Sequence, residues 1–597
     1  MISSSLFPGV RIAFICACVW QIASPGLADA ARPDGLDARQ LEDPRPPVRH
    51  KSGVAVQKIQ EALAEMGYYL GHIDGHLNPE TTAAVRVYQK AMGLEVDGEI
   101  SRQLWDFLNN AVEVRSLIKR LDTARKAGKD KARAALLAHT ATQDLITDTD
   151  RERANPVRNA DACFAEPTVR CLLTEARESV KAVFKPELRD WALGEILVAQ
   201  ARAGLSDWAM DTAGGIRDPR LIIVALRDIA KAQAAAGNSA QALEAVNIIP
   251  DAEKRAEALA TISQIHARQG DKLATRAAAS ALLAMIEEVQ PPTKQISLKM
   301  QVALVFHQTG SPIRTNQLLT SSETQSRALA DEKQRLLGLR HIATTLASLG
   351  RAADALKVLV EITEKSERDP VLMAIAKAMA DRGETEQALK TAETIEPRYR
   401  ATILSHILDA QSVASPPDEL RRTLSLAEQT IELIKLPYAR SYAQSRLALT
   451  VTRLGNVPGQ RPDAGTGIPW PRFTSASEIA AKIADHRLRA YTLWSIASQQ
   501  RRAGDDPGAQ LTEAQADKTT NDISSRLSRV WMFADLAAQQ ARQGDTKTGW
   551  DAFNRGLKIG KSIDNAWSRA RALAKLAQTL IELIAPGRGQ EDDPFAN

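Results

Sequence analysis

The chain has 597 residues, long enough for several domains, and only 4% of them are aromatic. Abundant Ala, Leu, Gln and Arg suit an all-α array. The net charge of +5, from 77 basic and 72 acidic side chains, is unevenly placed, and no nucleic-acid partner is expected. Residues 1–30 read as a cleavable secretory signal. Arg11 precedes an apolar run from Ile12 to Ala23, and Ala28-Asp29-Ala30 offers small residues for cleavage. Lipoprotein processing at Cys18 fits poorly, because Ile15-Cys16-Ala17-Cys18 lies in mid-run. That run is too short to span a bilayer, which takes about 20 residues. No other long apolar run follows, so the expected product is soluble and exported, in the periplasm or elsewhere in the cell envelope, with no transmembrane segment. Residues 31–52, dominated by Pro, Arg and Asp, read as a disordered linker.

Residues 53–110 carry a denser pattern. Val56, Ile59, Gln60, Leu63 and Met66 share one helical face, and Gly67 is placed to end that helix. The turn around Asp74-Gly75 follows. Asn78 can cap a second helix with Pro79 at its first position, and that helix runs through Ala84, Val85, Tyr88 and Gln89 to Gly93. A second Asp-Gly pair, Asp97-Gly98, leads to a third helix with Ile100, Leu104, Trp105 and Leu108 on one face. In order these elements read VQKIQEAL, GYYLG-x-IDG, T-x-x-AV-x-x-YQ and GLEVDG. The pattern resembles the peptidoglycan-binding type 1 domain, over about a tenth of the chain. It departs from the family at two helix starts: Asn78-Pro79-Glu80-Thr81 replaces a Gly-Pro-x-Thr, and Glu99-Ile100-Ser101 stands where Gly and Thr are common. The resemblance implies a small three-helix fold and peptidoglycan as partner. It puts Tyr68, Tyr69, His72 and Asp74 at the turn, and Arg86 and Gln89 on the second helix, beside the ligand surface. This segment holds four basic and eight acidic side chains, so attraction to an anionic wall is not its mechanism.

Residues 111–185 read as a helical connector. Cys163 and Cys171 are the cysteines left after signal removal. Pro167 between them breaks any continuous helix, so a closed disulfide loop and two buried thiols both remain open.

From 186 to about 590 the chain repeats. Nine glycines, Gly204, Gly237, Gly270, Gly310, Gly350, Gly383, Gly455, Gly504 and Gly544, each follow an aliphatic residue by eight positions. An alanine recurs five residues after many of them, and an arginine fifteen before: Arg189, Arg255, Arg335, Arg368, Arg440, Arg489 and Arg529. Such units are stacked helical hairpins, each too small to fold alone. The small residue, glycine and alanine spacing resembles the tetratricopeptide repeat, with the family's Trp and Tyr largely absent. The expected fold is therefore all-α: a small domain, then an α-solenoid of nine to eleven hairpins, broken at Pro291-Pro292, Pro416-Pro417 and residues 456–477. If the resemblance holds, the first helices line a concave face. Positions ten and six before each glycine then make a partner groove with Arg227, Lys231, Arg340 and Lys377 as cations and Trp494 as an exposed aromatic.

No metal, cofactor or catalytic residue is expected. There is no HExxH or GxSxG, and His72, Asp74 and His76 sit around one turn without a Cys partner. Ser116 and Lys119 have Ser-x-x-Lys spacing, and Lys547-Thr548-Gly549 matches a further motif of serine enzymes, but that chemistry needs the latter on a strand. The reading is an exported non-enzymatic scaffold that binds peptidoglycan and recruits cell-envelope proteins. The alternative is an accessory subunit, or divergent member, of a cell-wall-remodelling enzyme system.

Overall fold

The computed structural model describes residues 53–146, 152–155, 157–411, 415–454 and 472–586. The expected signal segment and linker lie outside the described residues, as does most of the Pro/Gly-rich excursion. Regular structure among the described residues is helical, without strands, and no helix there is long and apolar enough to cross a membrane. The chain divides into two compact units, residues 1–131 and 132–597.

In the first unit α1 (Gly53–Glu65), α2 (Pro79–Ala91) and the start of α3 (Arg102–Leu137) enclose Ile59, Leu63, Val85, Tyr88, Leu104 and Leu108. Asn78 caps α2, its side chain accepting from the Thr81 N–H at 2.7 Å. The third helix is much longer than its sequence pattern indicates, and Ala132 and Leu136 at its far end belong to the core of the second unit.

The second unit opens with α4 (Asp161–Ala165) and α5 (Val169–Lys181). The first helices of its hairpins are α6 (Pro186–Arg202), α8 (Pro219–Ala235), α10 (Ala252–Arg268), α12 (Pro292–Gln308), α14 (Glu332–Ser348), α16 (Lys365–Asp381), α18 (Pro397–Gln411), α20 (Pro437–Val451), α22 (His486–Ala503), α24 (Arg526–Arg542) and α26 (Ala566–Ile584). Between them run the second helices: α7 (Ser206–Gly214), α9 (Ser239–Asn247), α11 (Lys272–Ala284), α13 (Pro312–Arg327), α15 (Ala352–Leu359), α17 (Thr385–Glu393), α19 (Pro417–Glu432), α21 (Arg472–Ala481), α23 (Asp506–Asn521) and α25 (Thr546–Lys561).

The repeat positions explain the hairpin. Those of the nine glycines that are described have φ between 75° and 84°, a conformation that an L side chain adopts only with strain. The aliphatic residue eight positions earlier is buried in every repeat, as are Ala209, Ala242, Ala355, Ala388 and Ala509 on the facing second helix. The recurring arginine joins hairpin to hairpin. Arg255, Arg368, Arg440 and Arg529 donate to carbonyl oxygens at the end of the preceding hairpin, as in Arg440 Nε to the Ile434 oxygen at 2.9 Å. These carbonyls would otherwise end a helix without donors. Arg400 makes the same contact and marks a hairpin, α18–α19, that has Ser415 where the others have glycine. The proline pairs are helix starts inside the array: Pro292 begins α12 and Pro417 begins α19, a position where the missing N–H costs nothing.

The array closes on itself. Each first helix packs against the first helices on either side, and α26 packs against α6. The partner of α26 comes from the other end of the unit: α5 lies against it as the second helices lie against theirs, which completes an eleventh hairpin. Second helices pack on first helices rather than on each other, so the first helices form the inner layer of a ring. The larger hydrophobic core is continuous across this seam, joining Leu173 and Ile196 to Leu573 and Leu576. Closure went unforeseen in the sequence, where an open solenoid with free ends is the natural reading.

Candidate functional site

The first unit is organised by two glutamines. Gln60, on α1, is buried, and its side-chain oxygen accepts from the N–H groups of Asp74 and Gly75 at 3.1 and 2.8 Å. Its amide donates to the Asp74 carboxylate at 3.0 Å. Gln89, on α2, treats the second turn alike: it accepts from the Gly98 N–H at 2.9 Å and donates to Asp97 at 2.6 Å. Each Asp-Gly turn is thus clamped to a helix by one buried amide, which pairs with backbone N–H and carboxylate groups of the turn. The Gln60 amide first, then the His76 N–H, holds the Asp74 carboxyl below the usual carboxylate range. The Glu99 N–H, followed by Gln89, does so for Asp97.

This geometry sorts the six residues assigned by resemblance. Tyr69 is buried, with its hydroxyl donating to the His72 carbonyl at 2.8 Å. Gln89 is buried as a turn clamp, and Asp74 is engaged by Gln60. All three hold the scaffold; Tyr69 and Gln89 present little surface to a ligand, whereas Asp74 remains exposed. Tyr68 is half-buried, edge-on to Tyr88 at 5.4 Å between ring centroids, while His72 and Arg86 are exposed. The resemblance missed an apolar surface on the first loop: Leu70 is 99% exposed, with Ile73 and Leu77 also largely exposed. Leu and Ile in a glycine-rich turn, outside any helical period, were the available signal. Exposed apolar groups in such a cluster mark interaction surfaces more often than chance.

In the ring, the expected groove residues have other surroundings. Arg227 meets Asp228 at 2.8 Å and Glu257 of the next first helix at 3.3 Å, and Lys231 lies 3.9 Å from Asp228. Arg340 pairs with Glu367 of the next first helix at 2.8 Å, and Lys377 is exposed. Trp494 is buried: its Nε1 donates to Thr520 at 3.2 Å and Arg555 stacks on its ring at 4.4 Å. This corrects the expectation of an exposed aromatic. The position ten before the glycine faces the adjoining hairpin, so a long cation there reaches a neighbouring carboxylate and an indole stays packed. Glu257 also receives Lys294 at 2.5 Å and Lys254 at 3.1 Å. Burial pushes its carboxyl up, but these cations outweigh burial and hold it at about 2.

Cys163 and Cys171 form a disulfide, with their Cα atoms 5.7 Å apart. It ties α4 to α5. Asp161 of α4 binds Lys561 of α25 at 2.8 Å, so the bridge braces the ring seam. Lys547-Thr548-Gly549 lies in the first turn of helix α25 and so lacks the strand its chemistry needs, while Ser116 and Lys119 lie on α3. Among the described residues no group of three His, Cys, Asp or Glu side chains is arranged to hold a metal.

A segment of 110 residues is 33% identical to the "Putative OxPP cycle protein OpcA" of Synechocystis sp., covering 18% of this chain and 21% of that protein. The chain thus matches about a fifth of that relative's length. Among solved structures, Ton1535 from Thermococcus onnurineus NA1 aligns with 60% of this chain and 97% of its own, at 14% identity and TM-score 0.26. A circular tandem repeat protein with novel repeat topology aligns with 89% of this chain and 95% of its own, at 10% identity and TM-score 0.16. Residues 52–108 match the family described as "Putative peptidoglycan binding domain", so the chain carries a domain of that family, followed by an all-helical repeat array.

Proposed function

We propose that this protein is a cell-envelope scaffold without catalytic activity, whose N-terminal module binds peptidoglycan and whose ring recruits proteins. The family match at residues 52–108 carries the first part. The exposed Leu70, Ile73, His72 and Arg86 supply a surface on which glycan or peptide stems can be held, and the buried Gln60 and Gln89 clamps keep it rigid. Recruitment rests on the repeat architecture, in which inner and outer helices offer extended surfaces for protein partners. Export would be supplied by the N-terminal segment.

The test is sedimentation of the full chain with isolated sacculi. Leu70→Asp and Arg86→Glu should each move the protein from pellet to supernatant while circular dichroism stays unchanged. Equal sedimentation of both variants and the wild type would refute the assignment of this surface. Release of soluble muropeptides during the incubation would favour the enzyme-system alternative instead.

A further inference from the structure

We propose that the ring carries a second, separate glycan-binding site, on the inner helices beside the seam. Each of five consecutive inner helices carries at least one aromatic side chain in its N-terminal half, among them Tyr438 of α20, Tyr491 of α22, Trp531 of α24, Trp567 of α26 and Trp191 of α6. In a chain with 4% aromatics, five on neighbouring parallel helices form a concentrated arc. Tyr438 is 56% exposed and Trp191 is 44% exposed, one at each end.

The arc is built to hold its shape. Arg571 is buried between three indoles, its Cζ 4.4 Å from the Trp191 ring and 4.5 Å from those of Trp531 and Trp567. Glu195 grips the same guanidinium at 2.7 Å. Further along, Asp535 joins Arg487 at 3.2 Å to Lys575 at 2.8 Å. A cavity of about 460 Å³ opens where Tyr438, Tyr491, Ser524, Ser528 and Asp535 converge. The indole N–H groups of Trp531 and Trp567 are buried without an acceptor, an arrangement that calls for an explanation in a native fold.

The chemistry selects the ligand. Flat aromatic faces suit the C–H faces of pyranose rings, and seryl hydroxyls with carboxylate oxygens suit sugar hydroxyls. Arg571, Glu195, Arg487, Asp535 and Lys575 are already matched with one another, so a strongly charged ligand would have to break those pairs. An uncharged, hydroxyl-rich chain need not. Packed helices repeat at about 8–10 Å, close to the length of two sugars in a β-1,4-linked strand, so a long strand can follow the arc from Tyr438 to Trp191, while Tyr491 is buried, its hydroxyl donating to Gln539, and braces the arc. The ligand is an N-acetylated glycan strand; naming that glycan rests on the cell-wall reading of residues 52–108, whereas the saccharide chemistry rests on the arc.

The experiment is titration of the full chain with glycol chitin, a soluble uncharged N-acetylglucosamine polymer long enough to reach from Tyr438 to Trp191, read by calorimetry and by tryptophan fluorescence, which reports on the wild type without any substitution. Wild type should bind with a change in tryptophan emission. Trp191→Ala and Tyr438→Ala should each weaken binding about tenfold, the loss typical of truncating an aromatic anchor. Both side chains are substantially exposed, so folding should survive; Trp191→Phe, which keeps a flat ring, should retain most of the affinity. Absence of binding by wild type, or affinity unchanged in both alanine variants, overturns the inference. Loss of binding in Leu70→Asp but not in Trp191→Ala also overturns it, while leaving the N-terminal module's role intact.

Discussion

Arg571→Ala tests the closure of the ring most directly. The side chain is buried, bridges to a residue 376 positions earlier in the chain, and touches three indoles. Each cation–π contact contributes about 0.5–1 kcal/mol, and the hydrogen bonds to the Glu195 carboxylate about 1.5–3 kcal/mol. Loss of the whole set costs about 3–5 kcal/mol, in line with breaking a buried pair by removing one partner. That cost falls on the seam and, through Trp531, on the adjoining α24–α26 interface, the contacts of Arg571 lying on α6, α24 and α26. Hydrogen exchange followed by mass spectrometry is the suitable assay, since it resolves local opening in a chain of two units. Peptides from α5, α6 and α26 should exchange at least about a hundredfold faster, the factor that about 3 kcal/mol implies. Peptides from α12 and α14, across the ring, should change little. Equal acceleration everywhere, or none at the seam, would refute the view that Arg571 holds the ring shut.

The disulfide and the ionic cluster give two further expectations. Cys163→Ser should lower the stability of the seam by about 2–3 kcal/mol, as expected for opening a loop of about nine residues, and the unreduced wild-type protein should show no alkylated Cys163 or Cys171 by mass spectrometry. Glu257 has a folded-state pKa of about 2, below its unfolded value of 4.5, so its contribution is present above pH 4.5 and is lost as pH falls toward 2. Glu257→Gln should therefore cost up to about 3 kcal/mol at pH 7 and flatten the acid limb of a pH–stability curve; an unchanged acid limb would show that the cluster is not what holds the carboxyl down.

Much of the fold was legible because it rests on local rules. Glycine eight residues after a buried aliphatic marks a helix end that only a residue free of Cβ strain supplies cheaply, and it recurs often enough to be seen. The α18–α19 hairpin escaped that rule, since Ser415 occupies the glycine position; Arg400, in register with the other arginines, was its remaining signal. Closure was not legible, because the contact of α5 with α26 depends on how small rotations accumulate over eleven hairpins. In the first unit, Gln60 and Gln89 stood on predicted helix faces, but their role as turn clamps needs the distance between helix and turn. Trp494 was misassigned for a similar reason: helical period gives the face, and only packing tells which neighbour that face meets.

The hairpin completed by α5 and α26 has a consequence for synthesis. The apolar face of α5, with Leu172, Leu173 and Ala176 fully buried in the finished ring, is made hundreds of residues before the helix that covers it. Until then it is an uncovered sticky surface, and α26 arrives with a matching one. A nascent or truncated chain lacking α26 would therefore expose two unsatisfied faces rather than one, and could satisfy them by pairing with another copy. The two ends of this unit are in effect a single structural element, divided across the chain, and neither half is sound alone.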